Sequence, residues 1–367
     1  MSAELHLPRY ADRCISNVVP AIFGRTSLLP DVARTASQVV LLVLDGVGWN
    51  QLRTRREAAP VLWSMAGGPI TSVAPTTTAT ALSSIVSGTR PAAHGVVGYR
   101  LRVPGDQVLN VLRWRTGEGD ARTTVPPTAF RMQPAFGGRA GVPVVTRAEF
   151  ASTGFTAAMG LDRLVGWQAA SAIAVEVGSL LRDGDPFVYA YYDGVDKVAH
   201  AHGLGDHYDA ELHATDRIVA DVVAQLPRGA ALVVTSDHGQ VDVGDDVIEL
   251  PEDVVSECSL LSGEGRFTWL HALPGRVDAV LALAQEAFGA PGLAEVLTRD
   301  EVVAAGWFGG PLSDDVAARL GDVAVVACAP VAFLDPADTG SAMLRCRHGS
   351  LTEDEMLVPL VAVGSPV

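Results

Sequence analysis

The chain has 367 residues, 48% of them hydrophobic, and a formal net charge of −15. The apolar share excludes a disordered chain. The negative field excludes a nucleic-acid polymer as partner, because such binding rests on many Lys and Arg contacts. A small phosphate ester stays open, since bound metal ions reverse the sign of the field locally. The length predicts about two domains, or one large α/β domain carrying an insertion. Cys14, Cys258, Cys328 and Cys346 stand far apart without a C-x-x-C pair, which argues against a zinc knuckle and against a disulfide framework. The start, MSAELHLPRYADR, lacks a basic stretch followed by an apolar one, so no signal peptide is expected. No apolar run approaches the ~20 residues of a membrane span. The expectation is a cytoplasmic protein without a membrane partner.

Residues 1–37 read as an N-terminal arm, partly amphipathic and broken by Gly24 and Pro30. QVVLLVLDG is the first strand and ends at Asp45; open α/β sheets place their chemistry at that end. AAPVLWSMA reads as a helix returning to PITSVAPT, an apolar, β-branched segment with the pattern of a buried strand ending in a proline turn. ATALSSIVSG then has helical apolar spacing (Ala81, Leu82, Ile85, Val86) and stops at Gly88. Residues 101–150 are rich in Pro, Gly and Arg and read as a cap-like excursion. GWQAASAIAVEVGSLLRDG, over 166–184, predicts a helix, PFVYAYYDG a strand, residues 207–226 an amphipathic helix, and RGAALVVTSDHG another buried strand. Residues 251–320 read as a small α+β insertion. GDVAVVACAP (321–330) reads as a return to the core, which then comprises 38–250 and 321–367.

Several sites share one grammar, a hydrophobic strand followed by Asp or His where it ends. Asp45 follows VVLLVL, Asp196 and His200 follow FVYAYYDGV, Asp237 and His238 follow ALVVTS, and His348 stands in RHGS before the last strand. Oxygen and imidazole ligands in this mixture suit zinc, and manganese less often. Asp196 and His200, four apart, share one face of a helix and can grip one ion. Taken singly each has a plainer reading: Asp45 and Asp237 as turn residues, Asp193 as a helix cap, His200 and His202 as surface histidines. Thr78 lies at a strand-to-helix junction, where the positive end of a helix favours an alkoxide and a bound phosphate. The plainer reading there is that Thr76, Thr77, Thr78 and Thr80 cap the helix.

Together, LLVLDGVGW, PTTTATALSSIVSGTRPAAHGVVG, DKVAHAHG, TSDHG and RHGSLTEDEM resemble the alkaline phosphatase superfamily, in its type I phosphodiesterase and nucleotide pyrophosphatase branch. The resemblance runs from Leu41 to Met356 and implies a doubly wound, mainly parallel sheet flanked by helices. It also implies paired zinc ions. One would be held by Asp45, Asp237, His238 and the Thr78 oxygen, the other by Asp196, His200 and His348. Thr78 aligns as the nucleophile by its spacing from Gly88, with a phospho-threonine intermediate, and Thr76, Thr77 and Thr80 are its nearest competitors. Where many members carry an Asn after the HG motif, this chain has Tyr99; Tyr99 and Arg100 are candidates to contact the phosphoryl group. Ala199 replaces the usual Gly before the ligand His. His94 is expected to hydrogen-bond backbone near the site. Trp49, Trp114, Trp269 and Phe155 are candidates to stack on a base, with core packing as the default.

The implied function is hydrolysis of phosphodiester or pyrophosphate bonds in small nucleotide-like molecules. The same residues also suit a phosphomonoesterase or phosphonate hydrolase. HGSLTEDEM resembles the end of cofactor-independent phosphoglycerate mutases as well, although those use Ser at the position of Thr78. A catalytically silent, metal-stapled binding protein is the alternative of another class.

Overall fold

The computed structural model describes residues 5–130, 133–338 and 343–365. Its centre is a seven-stranded sheet in the spatial order Ala66–Thr71, Leu357–Gly364, Ala230–Thr235, Gln38–Leu44, Phe187–Tyr192, Pro143–Arg147, Arg163–Trp167. The last five run parallel, and Leu357–Gly364 is antiparallel to both of its neighbours. The sheet is therefore mainly parallel, as the motifs imply. Its central strand is buried from Val39 to Leu44, and alternate residues feed two different cores, as a period of two requires. Val39, Leu41 and Val43 pack with Val18, Ile22, Ala81 and Ile85 of the Val18–Gly24 and Thr78–Ser87 helices. Val40, Leu42 and Leu44 pack on the other face with Val177, Leu181, Leu212 and Val219 of the Ala172–Arg182 and Asp206–Ala224 helices. Each such fully buried side chain contributes about 1.5–3 kcal/mol, so the two faces jointly fix the register.

A second, fully antiparallel sheet has the order Cys258–Glu264, Phe267–Ala272, Val323–Ala327, Ala294–Thr298. Leu270, Val323 and Val325 share a core with Val280 and Phe288, while Phe267, Trp269, Ala324 and Val326 pack into the main core. Val323–Ala327 thus lies inside the inserted sheet, where the sequence reading has the chain back in the core. A strand buried on both faces is a plain apolar run that fits either sheet, and only its partners decide.

The 101–150 excursion holds a short antiparallel meander, Arg100–Val103, Gln107–Asn110, Arg115–Thr116 and Gly119–Asp120, but its end, Pro143–Arg147, joins the main sheet. Trp114 is 1% exposed and packs against Gly154, where a Cβ would lie 2.2 Å from the indole. An edge strand, Arg163–Trp167, takes the first two residues of the expected 166–184 helix, which runs from Ala172 to Arg182. The strand before Thr78 ends at Thr71, because the side chains and backbone of Ser72 and Thr76 bond to Asp237, Met356, Gly349 and Ser350 instead of a neighbouring strand. The arm is part of the core, with Cys14, Ile15 and Val18 at 0% exposure.

Candidate metal centre

Residues Leu44 and Tyr192 are register partners, as are Val43 and Thr235, so the carboxyl ends of three adjacent parallel strands stand abreast. Asp45, Asp193 and the Asp237–His238 pair project from those ends. Gly46 turns the chain away with φ of 73°; a Cβ there would lie 2.7 Å from Gln240 Nε2 and 3.0 Å from the Asp196 Cα. Asp196 and His200 sit one turn apart on the Gly194–His202 helix, and His348 arrives on the loop after Cys346–Arg347.

These residues gather into two trios, Asp45–Asp237–His238 and Asp196–His200–His348, within each of which one ligand atom per residue lies within 4.8 Å of the others. His238 Nε2 lies 3.3 Å from Asp45 Oδ1 and 3.4 Å from Asp237 Oδ2. His200 Nε2 is 3.3 Å, and His348 Nε2 3.8 Å, from Asp196 Oδ1. The His238 and His348 rings stack at 3.6 Å and 14°, which sets the trios side by side.

The donor atoms fit divalent cations. Each imidazole ties its Nδ1 to a backbone carbonyl: His200 to Cys346 at 2.7 Å, His238 to Gly239 at 3.1 Å, His348 to Thr76 at 2.8 Å. In the neutral imidazole that leaves Nε2 as the lone-pair atom facing its trio. Asp45 Oδ1 and Asp237 Oδ2 are buried without a well-formed hydrogen bond among the described residues, and both face the His238 Nε2 edge. A bare buried carboxylate oxygen is costly, and a cation is the partner that removes the cost. The second oxygens are held: Tyr191 OH donates to Asp45 Oδ2, and the Gly46 and His238 amides donate to Asp237 Oδ1 at 3.2 and 3.0 Å. In the other trio, Gln240 Nε2 donates at 2.6 Å to Asp196 Oδ1, the same oxygen that faces His200 and His348. Neither Tyr191, within FVYAYYDGV, nor Gln240, directly after TSDHG, is among the residues that the sequence pattern marks as candidates.

Charge crowding in the metal-free site perturbs these groups. Burial, then the Asp237 carboxylate, pushes Asp45 up to about 7. Burial opposes the charged form of His238, yet Asp237 and Asp45 hold it up to about 10. Burial and the two neighbouring imidazoles push His348 well below the ordinary histidine range. The folded metal-free chain keeps a proton on Asp45 up to about pH 7 and on His238 up to about pH 10, whereas the unfolded chain releases them near ~4 and ~6.5. Below the ordinary histidine range the depressed His348, His94 and His271 act in the opposite sense, but above it the folded protein binds more protons and its stability falls as pH rises. EDTA-stripped protein is expected to lose urea midpoint between pH 7 and 9, on the order of a few kcal/mol. Zinc-loaded protein should not, because the cations displace the same protons. A stripped midpoint that climbs with pH would contradict the assignment of these donors.

Thr78 opens its helix, and its Oγ1 lies 3.1 Å from His238 Nε2. No threonine side chain caps the helix: Thr77 stands at the N-cap without a side-chain bond to it. Thr76 Oγ1 donates to the Ser350 carbonyl and accepts from the Gly349 amide, and Thr80 Oγ1 is buried without a partner. Of the four hydroxyls, Thr78 is the one placed against a trio.

Tyr99 and Arg100 are engaged elsewhere. Tyr99 OH accepts from Asn110, and Arg100 forms a buried ion pair with Asp335. His94 is buried and bonds Ser84 Oγ at 2.8 Å through Nε2, while its Nδ1 accepts from the Val96 amide at 3.2 Å. His202 stacks on His207 at the surface. Trp114 and Trp269 are core residues and Trp49 packs on Trp63. Phe155 lines a cavity of about 240 Å³ that opens onto Thr78 and Asp45 and is walled by Leu82, Val86, Val144, Phe150 and Met159. No helix among the described residues is long and apolar enough to cross a membrane.

A mainly parallel sheet with a hydroxyl and paired Asp/His clusters at its carboxyl edge is the architecture of the alkaline phosphatase superfamily. The sequence profile of the type I phosphodiesterase / nucleotide pyrophosphatase family matches residues 39–350, and the chain belongs to that family of metal-dependent hydrolases. Solved structures with the same fold include murine ectonucleotide pyrophosphatase / phosphodiesterase 5, at 17% identity and a TM-score of 0.67 over 89% of this chain and 88% of that one. An inactive form of the murine protein in complex with AMP matches at 16% identity and 0.68, over 90% and 88%. Phosphonoacetate hydrolase from Sinorhizobium meliloti, in complex with phosphonoformate, matches at 19% and 0.62, over 89% and 90%. No curated protein matches the sequence.

Proposed function

We propose that the chain hydrolyses phosphodiester or pyrophosphate bonds of small nucleotide-like molecules, with Thr78 as nucleophile and a phospho-threonine intermediate. The observation that carries this reading is the placement of one hydroxyl against a trio whose buried carboxylate oxygens lack well-formed hydrogen bonds. Asp45, Asp237, His238 and Thr78 would hold one divalent cation and Asp196, His200 and His348 a second; the mixed oxygen and imidazole set favours zinc, with manganese next. Two such ions would supply Lewis acidity, lowering the pKa of the hydroxyl and drawing charge from the phosphoryl oxygens.

The chain's own residues do the rest. Because every Nδ1 is tied to a carbonyl, the imidazoles are locked in orientation and none is free to swing away as a mobile base. The first turn of the Thr78–Ser87 helix carries backbone amides without helical acceptors and no acidic side chain, a setting that favours a phosphoryl group beside the attacking oxygen. The neighbouring cavity receives the organic group. At about 240 Å³ it exceeds the ~150 Å³ that accommodates benzene, so a bicyclic ring is within its range. Phe150 and Phe155 supply faces for stacking. One apolar cavity receives one organic group of either ester class, so the diester preference is taken from the family and tested below.

The test is a metal-replete comparison of bis-p-nitrophenyl phosphate, p-nitrophenyl phosphate and phosphonoacetate. The expected result is a kcat/KM at least about tenfold higher for the diester, about 1.4 kcal/mol of transition-state preference. A reversed order would assign a monoesterase or phosphonate hydrolase, and no turnover with metal bound at full stoichiometry would leave a silent binding protein.

A further inference from the structure

Beside the cavity's mouth, one buried carboxylate serves two cations. Asp193, 4% exposed, accepts from Arg147 Nε at 2.7 and 2.9 Å and pairs with Lys197 Nζ at 2.6 Å. The cluster therefore carries one uncompensated positive charge. Arg147 is fixed over the Trp167 ring at 4.6 Å, whereas the Lys197 side chain is 52% exposed and lies 5.9 Å from the Phe150 ring. Both Asp193 and Lys197 line the cavity that reaches Thr78. Lys197 is the only lysine in the chain. It also stands near the start of the Gly194–His202 helix, where the macrodipole disfavours a cation, so its i,i+4 pairing with Asp193 is what it offers the helix. With one donor on Asp193, the ammonium keeps two more for another acceptor.

We propose that Lys197 is a specificity-determining residue that binds an anionic oxygen group carried by the substrate's organic part, such as a second phosphoryl or a carboxylate. The inference rests on the phosphodiesterase reading and deepens it. The apolar walls take the ring or chain, and the single mobile cation selects those that carry negative charge. An ordinary solvated ion pair between residues i and i+4 is the plainer account, and it makes a different prediction.

Three probes separate them: phenyl, 4-carboxyphenyl and 4-phosphonophenyl esters of p-nitrophenyl phosphate, assayed with metal-loaded wild type, Lys197→Met and Lys197→Arg. In Lys197→Met, KM for the carboxyphenyl ester is expected to rise about fivefold, the upper range for a half-exposed charge pair. The phosphonophenyl ester should shift further, while KM for the phenyl ester and kcat for all three stay within about twofold. Lys197→Arg should restore most of the discrimination. Equal changes for all three esters, or a loss confined to kcat, would overturn the proposal in favour of a structural pair. Failure of wild type to cleave any of the three would sink the hydrolase reading and this inference with it.

Discussion

Thr78→Ala is expected to lower kcat by at least about a thousandfold, the scale on which removal of a nucleophile acts when the rest of a site survives. Metal content should stay close to wild type, because Asp45, Asp237 and His238 reach their trio from other elements. Phosphate release from a diester and metal analysis of the same sample measure both. Thr76→Ala and Thr80→Ala serve as comparisons, since neither hydroxyl meets a trio. A Thr78→Ala protein with more than about a tenth of wild-type turnover would assign the chemistry to another oxygen. Loss of both metal and turnover would show that the hydroxyl builds the site rather than attacks from it.

Arg266→Met is expected to destabilise the fold by about 3–5 kcal/mol, as measured by urea unfolding with metal present. Arg266 and Glu355 are both 0% exposed and meet in two parallel bonds of 2.8 and 2.9 Å. Arg266 Nη1 also donates to the carbonyls of Ala329 and Val331, and Glu355 accepts from the Ser350 amide and the Thr352 hydroxyl. One partner comes from the hairpin of the inserted sheet and the other from the segment that follows His348. Truncating the arginine strands an unpaired carboxylate in the interior, and Arg266→Met with Glu355→Gln should recover part of the loss by removing that charge. A single variant within about 1 kcal/mol of wild type would mean that water reaches Glu355 and the two layers are not locked there.

The elements that hold the ligands were readable because each combines a plain apolar run with a polar stop. VVLLVL before Asp45 and ALVVTS before Asp237 can only be buried strands, and the spacing of Ala81, Leu82, Ile85 and Val86 can only be a helix that Gly88 ends, where φ is 68°. Sheet membership was not readable. Val323–Ala327 has the same both-faces-buried composition as a core strand, and its place beside Phe267–Ala272 is set by tertiary contacts. Arg163–Trp167 pairs on one side only and carries a glycine, so its pattern is too weak to separate from the helix that follows. The motifs foretold which side chains gather, but not how they are braced. The Tyr191 and Gln240 contacts to Asp45 and Asp196 depend on the sheet register and the Gly46 turn, neither of which a local window encodes.

The ligands are separated along the chain by the whole inserted sheet, with His238 before it and His348 after it. During synthesis, the Asp45–Asp237–His238 trio emerges from the ribosome more than a hundred residues ahead of the last histidine. A nascent polypeptide thus presents the first trio early, while the second lacks His348 until the last residues are made. If the two trios hold ions as proposed, a product terminated anywhere in the insertion would keep one seat and never complete the other.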